Sequence, residues 1–268
     1  MTLTFTRYVA IGDSQTEGLG DGNELDGYRG WADRLAERLA HGNPDLAYAN
    51  LAVRGKLAAQ VRAEQLAPAL AMRPDLATVM AGMNDLIRGG FDAAGVASHI
   101  EAMFADLTEA GATVVTVTFP DIGKITPLAA PLLPRVLDLN ARIIAAAARH
   151  GVLVVDTFPH AVTTDARLWS ADRLHVSPIG HARIASAVAK VLALPGDHED
   201  WTRPLPPLPR RTPWRATATE LRWLASFAGP WLYRRVRGRS SGDGRVAKRP
   251  ELAPVTVSAH GPAGRHPE

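Results

Sequence analysis

The stretch Ile11-Gly12-Asp13-Ser14-Gln15-Thr16-Glu17-Gly18 decides how the rest of the chain is read. It follows the apolar run Tyr8-Val9-Ala10, which reads as the first strand of a sheet. A serine placed where a buried strand runs out into a Gly-rich turn faces the crevice at the carboxyl end of the strands, where open α/β folds bind ligands. Its backbone N–H points into the same crevice. This placement suits a nucleophile, given a base and oxyanion donors from elsewhere. Taken alone, Gly12-Asp13-Ser14 is equally ordinary turn chemistry, because Asp and Ser bond their own backbone and Gly accepts positive φ.

Outward from that turn, apolar periodicity sets the element order. A polar, Gly-rich loop covers 18–27, and Trp31, Leu35 and Leu39 then fall at helical spacing before Gly42 and Pro44. A strand is expected over 46–53, broken at Arg54-Gly55, and a helix over 57–72. The apolar run 76–81 reads as a third strand, closed by Gly82-Met83-Asn84-Asp85, with a helix over 94–110. The β-branched run 113–119 is a fourth strand and 152–155 a fifth, separated by a helix over 135–150. A last core helix is expected over 178–194, with Pro178 in its first turn. Five short strands alternating with helices imply a parallel sheet covered on both faces. The crossover rules favour a three-layer α/β/α sandwich with a flavodoxin-like five-stranded parallel sheet, occupying residues 1–194.

With 268 residues, the chain is long enough for one such domain and an appendage. It contains no Cys, which excludes a disulfide framework, a thiolate nucleophile and a Cys-ligated metal. Its start has no basic stretch followed by a long apolar one, and no apolar run reaches the ~18 residues of a membrane span, so a cytoplasmic location is the default expectation. The net charge of +3 is unevenly spread: 17 Lys+Arg against 20 Asp+Glu over 1–196, and 13 against 7 over 197–268. The basic character therefore belongs to a C-terminal extension and not to the body.

Two more stretches supply what a Ser14 nucleophile needs. Asn84, at the exit of the third strand, can donate its amide N–H to an oxygen in the crevice, and Gly55 can offer a backbone N–H with no Cβ in the way. With the Ser14 N–H these form a three-donor oxyanion hole. The plainer alternative has Asn84-Asp85 capping a helix and Gly55 ending a strand. The run Ala171-Asp172-Arg173-Leu174-His175-Val176-Ser177-Pro178 then places Asp and His on one loop before a helix. His175 can serve as general base while Asp172 holds the proton on its other ring nitrogen. Among the other histidines, His41, His150, His198, His260 and His266 suit solvent or helix ends, and His181, in the first turns of the last helix, reads as a surface residue.

Together these stretches resemble the four blocks of the SGNH hydrolase superfamily, the GDSL esterases and lipases, in family order over residues 5 to about 194. Gly12-Asp13-Ser14 with Thr16-Glu17-Gly18 matches the nucleophile block, and Asn50 to Gly55 the glycine block. Gly82-x-Asn84-Asp85 matches the Asn block, and Asp172-x-x-His175 the Asp/His block. The resemblance implies Ser14 as nucleophile, His175 as base, Asp172 as its partner, and Ser14, Gly55 and Asn84 as oxyanion donors, with no metal and no cofactor. Two departures stand out. Arg54 occupies a place where a small residue is usual, and Gln15 replaces the usual apolar residue after the nucleophile.

The expected activity is hydrolysis of small or medium acyl esters through an acyl-enzyme on Ser14, with carbohydrate O-acetyl or short-chain lipid esters as candidates. An acyltransferase differs only in what resolves the acyl-enzyme. A binding or scaffold protein acting through the basic tail is the alternative outside enzyme chemistry. Residues 195–239 read as a Pro-rich wrapping segment followed by Trp- and Arg-rich accessory helices, and 240–268 as a disordered tail. The middle part suits an accessory helix pair, a lid or acyl-pocket wall, or a weak contact with an anionic membrane surface. No nucleic-acid module accompanies the charge, so a small-molecule ester is the expected partner, and the oligomeric state is left open.

Overall fold

The computed structural model of the chain describes residues 4–195, 200–207, 223, 226 and 241–256. The accessory helices and most of the Pro-rich segment expected over 195–239 lie outside the described residues, as does the end of the chain beyond 256.

Tyr8, Val9, Ala10 and Ile11 are buried without alternation, because β1 (Arg7–Gly12) lies inside its sheet and is covered on both faces. It pairs in parallel with β4 (Ala47–Asn50) on one side and β5 (Leu76–Met80) on the other, with Val9 opposite both Ala49 and Ala77. Beyond β5 come β6 (Thr113–Val117) and β7 (Leu153–Val155), also parallel. For the five strands expected from sequence, the spatial order is second, first, third, fourth, fifth, which is the flavodoxin-like order. The helices α3 (Ala58–Ala71), α5 (Ala93–Glu109) and α7 (Leu133–His150) pack side by side on one face, and α2 (Trp31–Gly42) packs with α8 (Pro178–Val191) on the other.

Local chemistry fixes the helix limits. In α2 the buried stripe is Trp31, Leu35 and Leu39, and Asp33 reaches back to the Gly30 N–H at 2.8 Å. The Ser177 side chain accepts from the Gly180 N–H at 3.3 Å, and Pro178 opens α8 where its missing N–H costs nothing. Helix α7 stops at Gly151 in the left-handed region, the usual end for a helix followed by a strand.

Three details depart from the sequence reading. The nucleophile turn is a one-turn helix, α1 (Ser14–Glu17), and the Gly-rich loop after it contains a small hairpin of β2 (Gly22–Asn23) and β3 (Gly27–Tyr28). The expectation of a disordered tail from 240 is corrected over part of its length, because β8 (Arg249–Pro254) pairs antiparallel with β4 as a sixth strand. A strand with two prolines is not legible as one in sequence. At a sheet edge it is tolerated, since only one side of the strand has to bond. Among the described residues, no helix is long and apolar enough to cross a membrane.

Candidate active site

The Ser14 turn is built on a steric requirement at Gly12. A Cβ there would lie 2.4 Å from the Met80 carbonyl oxygen and 2.7 Å from Thr16 Oγ1, so no side chain fits. The Gln65 side chain of α3 pairs with both backbone groups of Gly12, accepting its N–H at 2.8 Å and donating to its carbonyl at 2.9 Å. Strand β1 thus ends at a fixed point. Asp13 then caps α1, accepting from the Gln15 N–H at 3.3 Å, and Ser14 is the first, buried residue of that turn.

Asp172 and His175 meet as their spacing predicts. Asp172 Oδ2 lies 2.7 Å from His175 Nδ1, while Oδ1 accepts from Ser170 Oγ at 2.7 Å and from the N–H groups of Leu174 and His175 at 2.9 and 3.0 Å. Burial works against the charge on this carboxylate. The hydrogen bond and charge of His175, together with the His175 N–H and Ser170 Oγ, outweigh burial and hold it well below the usual carboxylate range. Arg173 takes a left-handed backbone (φ 58°) to make the tight loop. The Trp223 indole caps that loop, its Nε1 donating to the Asp172 carbonyl at 3.0 Å and its ring 4.8 Å from the Arg173 guanidinium carbon.

The two blocks are joined by Gln15. Its Nε2 donates to the Leu174 carbonyl at 2.8 Å and its Oε1 accepts the Val176 N–H at 3.2 Å, so the residue after Ser14 grips the backbone on both sides of His175.

Asn84, on the short helix α4 (Met83–Leu86), donates Nδ2 to Asp13 Oδ2 and to the Lys56 carbonyl, both at 3.1 Å. It is therefore linked to the nucleophile turn and to the residue after Gly55, which makes its own turn at φ 76°. Asp85 accepts from the Ala58 N–H at 3.0 Å, so the capping role foreseen for this pair falls to Asp85 alone and serves α3. Burial pushes the Asp13 carboxyl up to about 7, against the Gln15 N–H, the charge of His175 and the Asn84 amide.

Arg54, the unexpected residue of the glycine block, answers Glu17 of the nucleophile block. Both are buried, and the guanidinium meets the carboxylate through Nε and Nη2 while the Arg54 N–H donates to Glu17 Oε2 at 2.7 Å. Asn50 adds a second tie between the same blocks, donating to the Thr16 carbonyl at 2.8 Å. Sequence reasoning missed the pairing of Glu17 and Arg54. Its only signal was an out-of-place cation in one block and an acid in another. His181 is also corrected: it is fully buried rather than at the surface, accepting the Trp31 N–H at Nδ1 (3.1 Å) and donating Nε2 to the Leu19 carbonyl (2.9 Å).

Beside the turn opens a cleft of about 710 Å³, open solvent included. Asp13 and Gln15, the neighbours of Ser14, are part of its lining. Its walls are largely apolar, with Met80, Phe119 and Val155 from the strand ends and Ile184 from α8, and Trp201 also lines it.

A parallel α/β/α sandwich thus carries the serine turn, the Asn turn and the Asp-x-x-His loop. The chain belongs to the GDSL-like lipase/acylhydrolase family, whose model matches residues 10–183. Solved structures share the fold. LAE5, an α/β hydrolase enzyme from the metagenome of Lake Arreo, Spain, is 21% identical, with a TM-score of 0.58 over 70% of this chain and 95% of its own. TesA is 24% identical, with a TM-score of 0.56 over 70% and 98%. A catalytic mutant of Axe2, an acetylxylan esterase from Geobacillus stearothermophilus, is 18% identical, with a TM-score of 0.60 over 76% and 99%. No match was found among curated protein sequences.

Proposed function

We propose that this acylhydrolase is a serine esterase that cleaves short to medium aliphatic acyl esters through an acyl-enzyme on Ser14. The observation that carries this reading is the convergence of the Asp172–His175 pair on the nucleophile turn through Gln15. Ser14 Oγ attacks the ester carbonyl as its proton passes to His175 Nε2, while Asp172 stabilises the imidazolium and fixes its tautomer. The tetrahedral oxyanion is met by the N–H groups of Ser14 and Gly55 and by Asn84 Nδ2. Asn84 Nδ2 already makes two bonds at 3.1 Å, so one of them is exchanged for the oxyanion. The C–O bond then breaks, and His175 returns its proton to the departing alkoxide. Water attacks the acyl-enzyme by the same route in reverse, releasing the carboxylic acid and Ser14.

The apolar cavity beside Asp13 and Gln15 supports an aliphatic acyl group as the buried part of the substrate. Hydrolysis of p-nitrophenyl esters from acetate to laurate by the wild type, Ser14→Ala and His175→Ala tests the reading. Both variants are expected to lose a factor on the order of 10³ or more in kcat on every ester. Undiminished turnover by Ser14→Ala would contradict it.

A further inference from the structure

Gln15 takes no part in the bond-making steps above, and it is nearly inaccessible, with 5% of its surface exposed. A buried primary amide carries two donors and an acceptor that must be satisfied. Here one donor and the acceptor are spent on two backbone groups that flank one residue, His175.

The backbone accounting around His175 shows what this achieves. The N–H groups of Leu174 and His175 go to Asp172 Oδ1, and the His175 carbonyl accepts from the Ser170 N–H at 2.8 Å. These bonds stay inside the loop and shape it, but they do not fix where it stands relative to Ser14. The Leu174 carbonyl and the Val176 N–H go to Gln15, and these two bonds cross from the loop to the nucleophile turn. The turn is in its own right rigidly placed, by Gln65 on Gly12 and by the Asp13 cap. The amide is thus a two-point link between the fixed Ser14 turn and the loop that carries His175.

We infer that Gln15 is a positioning residue that sets the separation and orientation of the His175 imidazole relative to the Ser14 hydroxyl. The inference rests on the proposed roles of Ser14 and His175. Its effect falls on the chemical step, since a misplacement of about 1 Å costs on the order of 10²-fold in rate. Gln15 also lines the acyl cavity, so a replacement that keeps its bulk is used to limit any change in substrate affinity.

The test compares the wild type with Gln15→Leu, Gln15→Glu and Ser14→Ala in steady-state hydrolysis of p-nitrophenyl butyrate between pH 5 and 9, with thermal melts of each. Gln15→Leu keeps the bulk and removes both bonds. It is expected to lower kcat by about 10- to 100-fold with KM within about threefold, under conditions where the melt shows it folded. Gln15→Glu separates positioning from packing. A protonated carboxyl donates to the Leu174 carbonyl and accepts from the Val176 N–H as the amide does, whereas a carboxylate repels the carbonyl. The ratio of its kcat to that of the wild type is expected to fall as pH rises. The charge-free Gln15→Leu, run over the same pH range, separates loss of the two bonds from the effect of a new charge on Asp13, Asp172 and His175. Wild-type kcat in Gln15→Leu, or losses in kcat that track the unfolded fraction with a flat Gln15→Glu ratio, would overturn the inference. Full activity in Ser14→Ala would instead remove the reading beneath it, and the inference with it.

Discussion

His181 carries a cost that becomes visible in acid. Burial lowers its pKa from 6.5 to about 4, against the pull of the Leu19 carbonyl and Asp21, so the folded chain keeps the ring neutral where the unfolded chain protonates it. The unfolded state therefore binds more protons between about pH 4 and 6.5. Stability falls as pH drops through that window and is fully present above it. The loss approaches about 3 kcal/mol for a shift of this size. In a His181→Gln variant the melting temperature is expected to be lower at pH 7 but to decline less between pH 6.5 and 4 than in the wild type, measured by calorimetry in matched buffers. Parallel declines in the two proteins would contradict the assignment. At this scale the sequence was legible where chemistry is local. Asp172 and His175 are three residues apart on one loop, and their pairing could be read from that spacing. The burial of His181 was not legible, because it depends on a loop 162 residues away folding over the start of α8.

Between elements, the Glu17–Arg54 pair joins α1 to the turn after β4, and Arg54 also reaches Glu24 in the hairpin loop at 2.6 Å. With the side chains of Glu17 and Arg54 both nearly sealed from water, removing one charge strands the other. Arg54→Ala is expected to cost about 3–5 kcal/mol, and the double replacement Glu17→Leu with Arg54→Met much less, as read from urea unfolding of both. A second element-level expectation concerns the wall of the cavity formed by α8. Ile184→Trp should narrow the cavity and lower kcat/KM for long p-nitrophenyl esters by about 10-fold or more while sparing the acetate, since one buried methylene is worth about 1–3 kcal/mol. An unchanged chain-length profile would place the acyl group elsewhere. The strand and helix pattern itself was readable because each element repeats its apolar residues at its own period. Arg54 was not, because a buried cation makes sense only beside its acid.

Over the whole molecule, the described part of the C-terminal extension closes the sheet and braces the turn that holds Gly55. Strand β8 covers the edge of β4, Lys248 reaches Asp33 and the Tyr28 carbonyl, and Arg245 meets Glu24 at 2.9 Å. Gly242 lies so close to the Arg54–Gly55 turn that a Cβ on it would fall 1.9 Å from the Arg54 carbonyl oxygen. Ending the chain before 241 therefore exposes an edge strand and removes these ties at once. A fall in melting temperature of about 5–10 °C, equivalent to roughly 2–3 kcal/mol in a chain of this size, is expected together with lower esterase activity. Equal melting temperature and turnover in the truncated chain would show the strap to be idle. Composition marked this region as basic and Pro-rich, but its strand is held by partners far away in sequence, which no local pattern encodes.

The central claim is that Ser14 becomes acylated with His175 as its base, and covalent capture tests it most directly. Intact-mass and peptide-level mass spectrometry after treatment with a fluorophosphonate should show one adduct per chain, on Ser14. Labelling should be lost in Ser14→Ala and strongly slowed in His175→Ala. An adduct on another residue, or full ester turnover by a protein that never labels at Ser14, would contradict the account.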